Sequence, residues 1–460
     1  MFVPPVMYMS NQEQPNVIWI IADQLPAHAL SCNGNPDVNT PNIDRLALTG
    51  INFTNASAGY PLCCPFRGSM LTSKYPHHCV NRHEGQLNPE QETIAHVFNK
   101  QGYDTAYFGK WHLDGFPEWL GRATMHVIPP ERRGGFRMWM AYENNNSQWD
   151  TWVHGEKAGE KVHYRLPGYE TDELTTLLIN YIKKRTPAPG KQGEAHEPFF
   201  AVLSVQPPHN PYIAPAKFMK RFNPSQIHLR ENVPSVPEIQ ETARKELAGA
   251  YAMIENLDWN IGRILDTLSS SNILHNTHVI IFSDHGDMHG SHGYFKKTTP
   301  YSESINIPLI ISGEKPMGYD MRGVGTVQVP FNHVDIAPTT LGLCGIEKPE
   351  WMEGTDYSRY RIRTRKKDEE PDSAYLQYIV PTGHRNCVDK PWRGIVTRDG
   401  WKYACFSNGE WLMFNLEDDP FEQVNLAHQS QHVNKKHQLH ELLKRWVMHT
   451  GDDFPLPTLK

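Results

Sequence analysis

The segment Asn16-Val-Ile-Trp-Ile-Ile-Ala-Asp23 decides the predicted fold. From Asn16 to Ala22 it is a continuous apolar run rich in β-branched residues, which predicts a strand buried on both faces, as in a parallel sheet. The run ends at Asp23, and α/β sheets bind their ligands at the carboxyl ends of the strands. We therefore expect Asp23 to lie in a functional site at the edge of a parallel sheet.

Three more apolar runs and the segments between them extend this pattern. Further strands are predicted at Gly102 to Phe108, Phe199 to Val205 and His278 to Phe282. Helices are predicted from Pro41, from Ile94 to Gln101, from Thr171 to Lys184 and from Ala243 to Leu268. Because strands alternate with helices, we predict an α/β fold with a large, mainly parallel sheet flanked by helices.

The pattern changes after Leu343, which indicates a second architecture. Arg361 to Pro371 is a charged segment that we expect to be exposed. The alternating stretches 394–397, 402–406 and 411–415 predict a small antiparallel sheet, followed by a helix from about Asn434 to Met448. We place the boundary near residues 350–375, with a large domain at 1–360 and a smaller C-terminal α+β subdomain at 361–460.

Residues 113–169 form an insertion in the large domain. The segment is rich in Trp, Asn, Gly and His and has no clear periodicity, so we predict a long functional loop. Its aromatic residues either stack on the rings of a bound sugar or pack a core of the insertion itself. They are Phe136, Trp139, Tyr142, Trp149 and Trp152.

The composition excludes several classes of protein. The 460 residues are 39% hydrophobic and 21% charged, with a net charge of -6, which argues against nucleic-acid binding. No run approaches the roughly 20 apolar residues of a membrane span. The seven cysteines are irregularly spaced, which favours reduced thiols. Met1 to Met9 lacks the basic region of a signal peptide, so a cytoplasmic location is expected, or a periplasmic or secreted one if the native start has been altered.

The most informative segment for chemistry is Cys63-Cys-Pro65-Phe-Arg67-Gly-Ser-Met-Leu-Thr-Ser-Lys74. A proline suits the first turn of a helix, where backbone N–H groups favour a negatively charged oxygen. The guanidinium of Arg67 offers several donors to an anion. Taken alone, a cysteine such as Cys63 is more often a buried thiol before a helix than a nucleophile.

Polar residues that follow the other predicted strands complete a set for binding an anion and a metal. Asp23-Gln24 and Asp284-His285 both follow apolar strands, and their oxygen-rich ligands suit Ca²⁺ or Mg²⁺. The remaining candidates are basic residues in loops after strands. They are Lys110, His112, His209 and Lys297.

Taken together, these segments resemble the formylglycine-dependent (type I) sulfatases of the alkaline phosphatase superfamily. The family signature is Cys-x-Pro-x-Arg with a Leu-Thr-Gly-Arg tail, from which Ser73 and Lys74 depart. The resemblance runs from Asn16 to Ala427. Its other matching segments are Gly109 to His112, Pro208 to Tyr212, His292 to Lys297, His333 to Thr339 and Asn415 to Glu422.

The resemblance implies how the nucleophile and the metal work. In the family, a maturation enzyme, either a formylglycine-generating enzyme or a radical maturase, oxidises the cysteine to formylglycine. One hydroxyl of the hydrated aldehyde attacks sulfur, and deprotonation of the other expels sulfate. One metal ion, usually Ca²⁺, touches the formylglycine at position 63. Its expected ligands are Asp23, Gln24, Asp284 and His285, although Gln24 replaces the commoner Asp and resembles phosphonate monoester hydrolases and choline sulfatases.

The resemblance also implies roles for the basic residues. Arg67, Lys110 and His112 are expected on the formylglycine side, with Lys110 and His112 positioning the diol and taking its proton. His209 and Lys297 are expected on the leaving-group side, one of them protonating the departing alcohol. Residues expected to bind substrate are Lys74, Asn81 and Arg82.

The substrate is less well determined than the family. We expect a sulfated saccharide, because the insertion is rich in aromatic residues. An arylsulfatase, a phosphonate monoester hydrolase or a phosphodiester hydrolase would share the same charged residues around the metal and the anion. A glycan-binding protein without catalysis remains an alternative if Cys63 is never matured. A two-metal phosphatase is disfavoured, because the sequence has no second cluster of Asp and His ligands.

Overall fold

The fold is described from a computed structural model. It covers residues 14–186, 197–313, 323–366, 368–383 and 388–459. The segment Met1 to Met9 and Cys387 lie outside these residues. The other six cysteines are free thiols, as predicted. Within the described ranges, no helix combines the length and apolar character needed to cross a membrane.

The strands form one large sheet and two smaller ones. In chain order they are β1 (Asn16–Asp23), β2 (Ile51–Phe53), β3 (Ala56–Ser57), β4 (Asp104–Lys110), β5 (Met138–Tyr142), β6 (Trp152–Lys157), β7 (Glu160–Arg165), β8 (Phe199–Pro208), β9 (Thr277–Ser283), β10 (Leu309–Ser312), β11 (Gly325–Val327), β12 (Phe331–Asn332), β13 (Ser373–Tyr378), β14 (Trp392–Thr397), β15 (Trp401–Phe406) and β16 (Gly409–Asn415). The predicted strands are all present, with shifted ends.

The predicted helices are present among the described residues, together with three short helices that were not predicted. They are α1 (Pro41–Thr49), α2 (Cys63–Thr72), α3 (Ile94–Lys100), α4 (Glu170–Arg185), α5 (Ala216–Met219), α6 (Pro237–Ser270), α7 (Ser302–Ile305), α8 (Ile336–Leu343) and α9 (Val433–His449). Helix α6 begins earlier than predicted, because Pro237 supplies the fixed φ and the missing N–H that suit a first helical position.

The large sheet has ten strands in the order β11-β2-β10-β9-β1-β8-β4-β5-β6-β7. Its centre, β9-β1-β8-β4-β5, is parallel. Strand β1 is buried on both faces: Val17, Trp19 and Ile21 join the core under α2, α3 and α8, whereas Ile18 and Ile20 join the core under α1, α4 and α6. The predicted mainly parallel sheet between helical layers is confirmed.

The prediction of a long loop at 113–169 is wrong, because this segment adds three strands to the sheet. Strand β5 pairs in parallel with β4, and the antiparallel hairpin β6–β7 follows it. The hairpin turns at Ala158 and Gly159, both with positive φ (53° and 84°), as a tight two-residue turn between twisted strands requires.

The aromatic residues of the insertion mostly pack the protein core. Phe136, Trp139 and Tyr142 are buried, and Trp139 contacts the rings of Tyr107 and Trp111 at centroid distances of 5.4 and 5.2 Å. These three side chains are therefore not available to a sugar. Of the predicted set, Trp149 is 45% exposed and Trp152 is partly buried.

The C-terminal part forms the predicted small antiparallel sheet. Its strand order is β13-β14-β15-β16, and α9 packs Leu439 and Leu443 against one face of it. The other face packs against Tyr60 and Leu62, directly before α2. The C-terminal sheet therefore supports the chain that leads into the nucleophile segment.

Candidate active site

The site lies where the central strands end and helix α2 begins. Asp23 and Gln24 come at the end of β1, Lys110 ends β4, and Asp284 follows β9. Cys63 is the first residue of α2, so Pro65 stands in the first turn as predicted. The parallel arrangement of the strands thus collects side chains that are far apart in sequence at one edge of the sheet.

The thiol of Cys63 is surrounded by charged groups. It is 2% exposed, and its Sγ lies 3.2 Å from His285 Nε2, 3.4 Å from Lys297 Nζ and 3.7 Å from Asp23 Oδ1. Burial and Asp23 raise the pKa of Cys63, but Lys297 and Lys110 outweigh them and leave the pKa below its usual value. The site therefore favours a negative charge on residue 63.

Four residues could hold a metal ion. Asp23, Cys63, Asp284 and His285 each offer one ligand atom, all within 4.8 Å of one another. Among the described residues, the buried Oδ2 of Asp284 accepts no hydrogen bond and meets only the guanidinium of Arg67, at 3.1 Å. Two carboxylates and one imidazole suit a hard divalent cation such as Ca²⁺ or Mg²⁺. The donor set therefore fits the expected ion.

The side chain of Gln24 is held by hydrogen bonds to two neighbours and does not point only toward the possible metal ligands. Its Oε1 accepts from Lys297 Nζ at 3.0 Å, and its Nε2 donates to Asp287 Oδ2 at 2.5 Å. Its backbone N–H donates to Asp284 Oδ1, and its φ is +69°. Gln24 thus connects Lys297 to Asp287, and its role as a metal ligand stays a prediction.

Arg67 and Lys110 neutralise the two carboxylates. Arg67 is fully buried, and its Nη2 lies 3.1 Å from both Asp23 Oδ2 and Asp284 Oδ2. Lys110 Nζ donates to Asp23 Oδ2 at 2.6 Å. Burial raises the pKa of Asp23, but Lys110 and the other nearby cations hold it well below its usual range. Asp23 is therefore an ionised carboxylate at neutral pH.

The two remaining histidines are neutral at neutral pH. Burial, together with Lys110, lowers the pKa of His112 well below its usual range. Burial and Lys297 do the same to the pKa of His209, whose Nδ1 lies 2.8 Å from the carbonyl oxygen of Asn210. Neither ring nitrogen of His112 has a hydrogen-bond partner within the described ranges. His112 therefore has an unused lone pair.

The structure does not bring every predicted residue to this site. Lys74 lies two residues beyond Thr72, the last residue of α2, which is itself roughly 14 Å along the helix axis from Cys63. Asn81 and Arg82 are exposed, in the loop that leads to His83. They lie at the margin of the site, because the His83 ring is 5.6 Å from that of His112.

Three residues of the site were missed by sequence reasoning. Asp287 holds Gln24, Ser204 Oγ accepts from Arg67 Nη1 at 2.8 Å, and His83 packs against His112. The signal for Asp287 was its place in Asp284-His-Gly-Asp287, one short loop after β9. Ser204 lies inside β8, where only the register with β4 reveals its neighbours.

Comparison with known proteins agrees with this geometry. The sulfatase family model matches residues 15–346, and the model for the C-terminal part of N-sulphoglucosamine sulphohydrolase matches residues 290–449. An ulvan-active sulfatase of Formosa agariphila is 32% identical, over 98% of this chain and 84% of its own. An arylsulfatase of Clostridium perfringens is 28% identical, over 94% of each chain.

A solved structure shows the same architecture. The provisionally assigned sulfatase yidJ of Bacteroides fragilis has a TM-score of 0.82 and 28% identity, covering 98% of this chain and 99% of its own. The family model alone spans well over half of the sequence. The chain therefore belongs to the sulfatase family of the alkaline phosphatase superfamily, and it is a sulfuric ester hydrolase.

Proposed function

We propose that this chain hydrolyses the sulfate esters of a saccharide, with formylglycine made from Cys63 and one bound Ca²⁺. The observation that carries the proposal is the surroundings of Cys63 Sγ, which has an imidazole and an ammonium group within 3.4 Å. Two buried carboxylates stand behind it. This arrangement stabilises a nucleophile and binds an anion at the same point.

The residues divide the work of the metal centre between them. Asp23, Asp284 and His285 would hold the ion, which when bound withdraws charge from a sulfate oxygen and from the nucleophile. Arg67 keeps the two carboxylates together by pairing with both. Because Arg67 is completely buried, water does not screen these ion pairs, so their geometry is fixed before substrate arrives.

On the nucleophile side, formylglycine would supply a hydrated aldehyde, one of whose two hydroxyls attacks while the other is deprotonated in the later step. The neutral imidazole of His112 has the free lone pair that accepting this proton requires. Lys110, 2.6 Å from Asp23, keeps the charge of the site balanced.

On the leaving-group side, Lys297 and His209 act on the substrate. Lys297 Nζ lies 3.4 Å from Cys63 Sγ, whereas Lys296 Nζ donates to the Tyr212 hydroxyl. This difference supports Lys297 as the lysine that binds the sulfate group. An incoming sulfate ester brings negative charge next to His209 and favours its protonated form. His209 can then donate a proton to the departing alcohol, which matters most for a sugar alkoxide.

Two observations support a saccharide as the alcohol. The ulvan-active relative acts on a sulfated saccharide. In addition, a cavity of about 260 Å³ is lined partly by Asn144, Asn145, Asn146 and Ser147. The next residue, Gln148, donates to the His209 carbonyl at 2.9 Å, so this wall is joined to the leaving-group side. Among the residues that line the cavity, Asn146 is exposed, and a side-chain amide is suited to the hydroxyl groups of a sugar.

A hydrolase of phosphodiesters or phosphonate monoesters is the second candidate. Gln24 favours it, since the resemblance to that branch rests on this residue. Sulfate monoesters, phosphodiesters and phosphonate monoesters all carry one negative charge, so the charge of the site does not distinguish them. Relative turnover is therefore the deciding measurement.

The test combines mass spectrometry with a substrate panel. The peptide that contains Cys63 should carry an aldehyde in protein from its natural host. That protein should hydrolyse sulfated oligosaccharides faster than nitrophenyl sulfate and faster than a phosphodiester. Cys63→Ala is the inactive control. Only unmodified thiol in protein from the natural host would overturn the mechanism, and preferred turnover of the phosphodiester would overturn the substrate class.

A further inference from the structure

A second group of side chains that could hold a metal ion lies next to the nucleophile segment. Cys64, His83 and His112 each offer one ligand atom, and these atoms lie within 4.8 Å of one another. Cys64 and His112 are 0% and 2% exposed, and His83 is partly buried. The three residues come from α2, from the loop after it and from the segment after β4. Tertiary structure, rather than local spacing, brings them together.

His112 indicates that this group is prepared for a ligand. Among the residues that the structure describes, neither of its buried ring nitrogens has a hydrogen-bond partner. Buried polar atoms in folded proteins are nearly always paired. The His83 ring stands almost perpendicular to the His112 ring, at 87° and 5.6 Å between centroids. Each ring nevertheless has a nitrogen within 4.8 Å of the Cys64 sulfur.

The chemistry of the three donors selects the ion. One thiol and two imidazoles are ligands for Zn²⁺ and similar transition metals, whereas Ca²⁺ takes oxygen ligands. Zinc bonds of about 2.3 Å to sulfur and about 2.1 Å to nitrogen place neighbouring ligand atoms roughly 3.5 Å apart. Side-chain rotations that bring the atoms about 1 Å closer than the 4.8 Å limit would therefore complete the site.

We propose that Cys64, His83 and His112 bind one thiophilic transition-metal ion, such as Zn²⁺, and that this ion inhibits the enzyme. Binding releases the proton of the Cys64 thiol, and water completes the fourth position. A neutral imidazole has a single lone pair. An ion that takes this pair leaves His112 unable to accept a proton. The inhibition rests on the proposed function, whereas the binding does not.

Matured, full-length enzyme saturated with Ca²⁺ provides the test. Inhibition is measured as Zn²⁺ is added, and binding is measured separately with Co²⁺, whose bond to a thiolate gives a charge-transfer absorption band. The variants are Cys64→Ala and His83→Ala. Cys344→Ala is the matched control, because Cys344 is a free thiol outside the group. Turnover without zinc should be unchanged in Cys64→Ala, since residue 64 is the variable position of the Cys-x-Pro-x-Arg signature.

We expect wild type and Cys344→Ala to bind one ion per chain and to be inhibited. In Cys64→Ala the thiolate band should disappear, and the zinc concentration for half inhibition should rise roughly 100-fold. Equal zinc sensitivity in Cys64→Ala and wild type, or no thiolate band in wild type, would overturn the proposal. If the alanine variant does not fold, the same zinc and cobalt measurements are made on Cys64→Ser, with the same expected results. A preparation without sulfatase activity contradicts the proposed function, and the cobalt spectrum still decides the binding.

Discussion

Replacing Asp287 by asparagine should disconnect Gln24 from the rest of the site. The buried carboxylate of Asp287 accepts from Gln24 Nε2 at 2.5 Å, from the hydroxyl of Tyr212 at 2.6 Å, and from the backbone N–H groups of His289 and Lys296 at 3.1 and 2.9 Å. An asparagine amide would place two of its own hydrogens among these donors. The change therefore removes a charge and leaves donors facing donors.

The pKa of Asp287 gives the size of the effect on stability. Burial raises this pKa, but His289 and Lys296 outweigh burial and lower it from 3.8 to about 2. A shift of nearly two units corresponds to about 2.5 kcal/mol in favour of the ionised form. Because the folded pKa is the lower one, this stability is present above about pH 4 and is lost as the pH falls through about 2. Asp287→Asn should therefore lower the free energy of unfolding by about 2 to 3 kcal/mol at pH 7.

The same change should reduce turnover more than it changes KM. In the wild type, Asp287 can only accept, so it fixes the Gln24 amide with Oε1 toward Lys297. Without that constraint the amide can rotate and place its NH₂ group against the ammonium, which moves Lys297 away from Cys63. Loss of such a supporting contact typically costs about 10- to 100-fold.

Denaturant unfolding at pH 7 and steady-state kinetics with a sulfated substrate measure both effects. Asp266→Asn, on the exposed face of α6, is the matched control and should behave as wild type. Wild-type stability and turnover in Asp287→Asn would refute the reasoning about Gln24. A loss of stability with unchanged turnover would show that Asp287 supports only the fold.

Three further predictions follow from the buried charges. Burial raises the pKa of Glu170 to about 7, so its ionisation destabilises the folded state as the pH rises from about 4.5 past 7. In thermal denaturation, the free energy of unfolding of Glu170→Gln should therefore exceed that of wild type by about 3 kcal/mol at pH 8.5. At pH 4.5 the two proteins should be nearly equal in stability. An equal gain at both pH values would contradict this prediction. Removal of Ca²⁺ by a chelator should lower the Tm, because Asp23 and Asp284 would lose their bound ion, and added Ca²⁺ should restore it. An unchanged Tm would exclude these two residues as ligands. Arg67→Lys should lower kcat about 100-fold, since lysine cannot pair with both carboxylates at once, and unchanged kcat would contradict that role.

The centre of the fold was predictable because burial leaves a clear record in the sequence. Strand β1 lies between two layers of helices, so the whole run from Val17 to Ala22 is apolar. Asp23 and Asp284 interrupt such runs at the strand ends, and parallel topology then requires them to meet. For these residues, the local sequence pattern alone predicts the position in the folded protein.

The outer part of the sheet was not predictable in this way. Strands β6 and β7 are amphipathic or exposed, and they are joined at Ala158 and Gly159 instead of the Asn-Gly pair that signals such turns. Lys74 was predicted to bind substrate from its place in a motif, but the helix carries it away from Cys63. The approach of His83 to His112 depends on two loops whose path no periodicity describes.

The burial of helix α2 has a consequence for when the protein acquires its activity. All ten of its residues are buried, and Cys63 is 2% exposed. An enzyme that oxidises this thiol has to reach it, and the folded chain leaves almost none of it exposed. Under the proposed mechanism, the conversion therefore belongs to the nascent chain, before the sheet closes over it. A chain that folds before oxidation keeps its thiol. Molecules with the same sequence and the same fold can therefore differ in activity, because some were oxidised before folding and the others remain inactive.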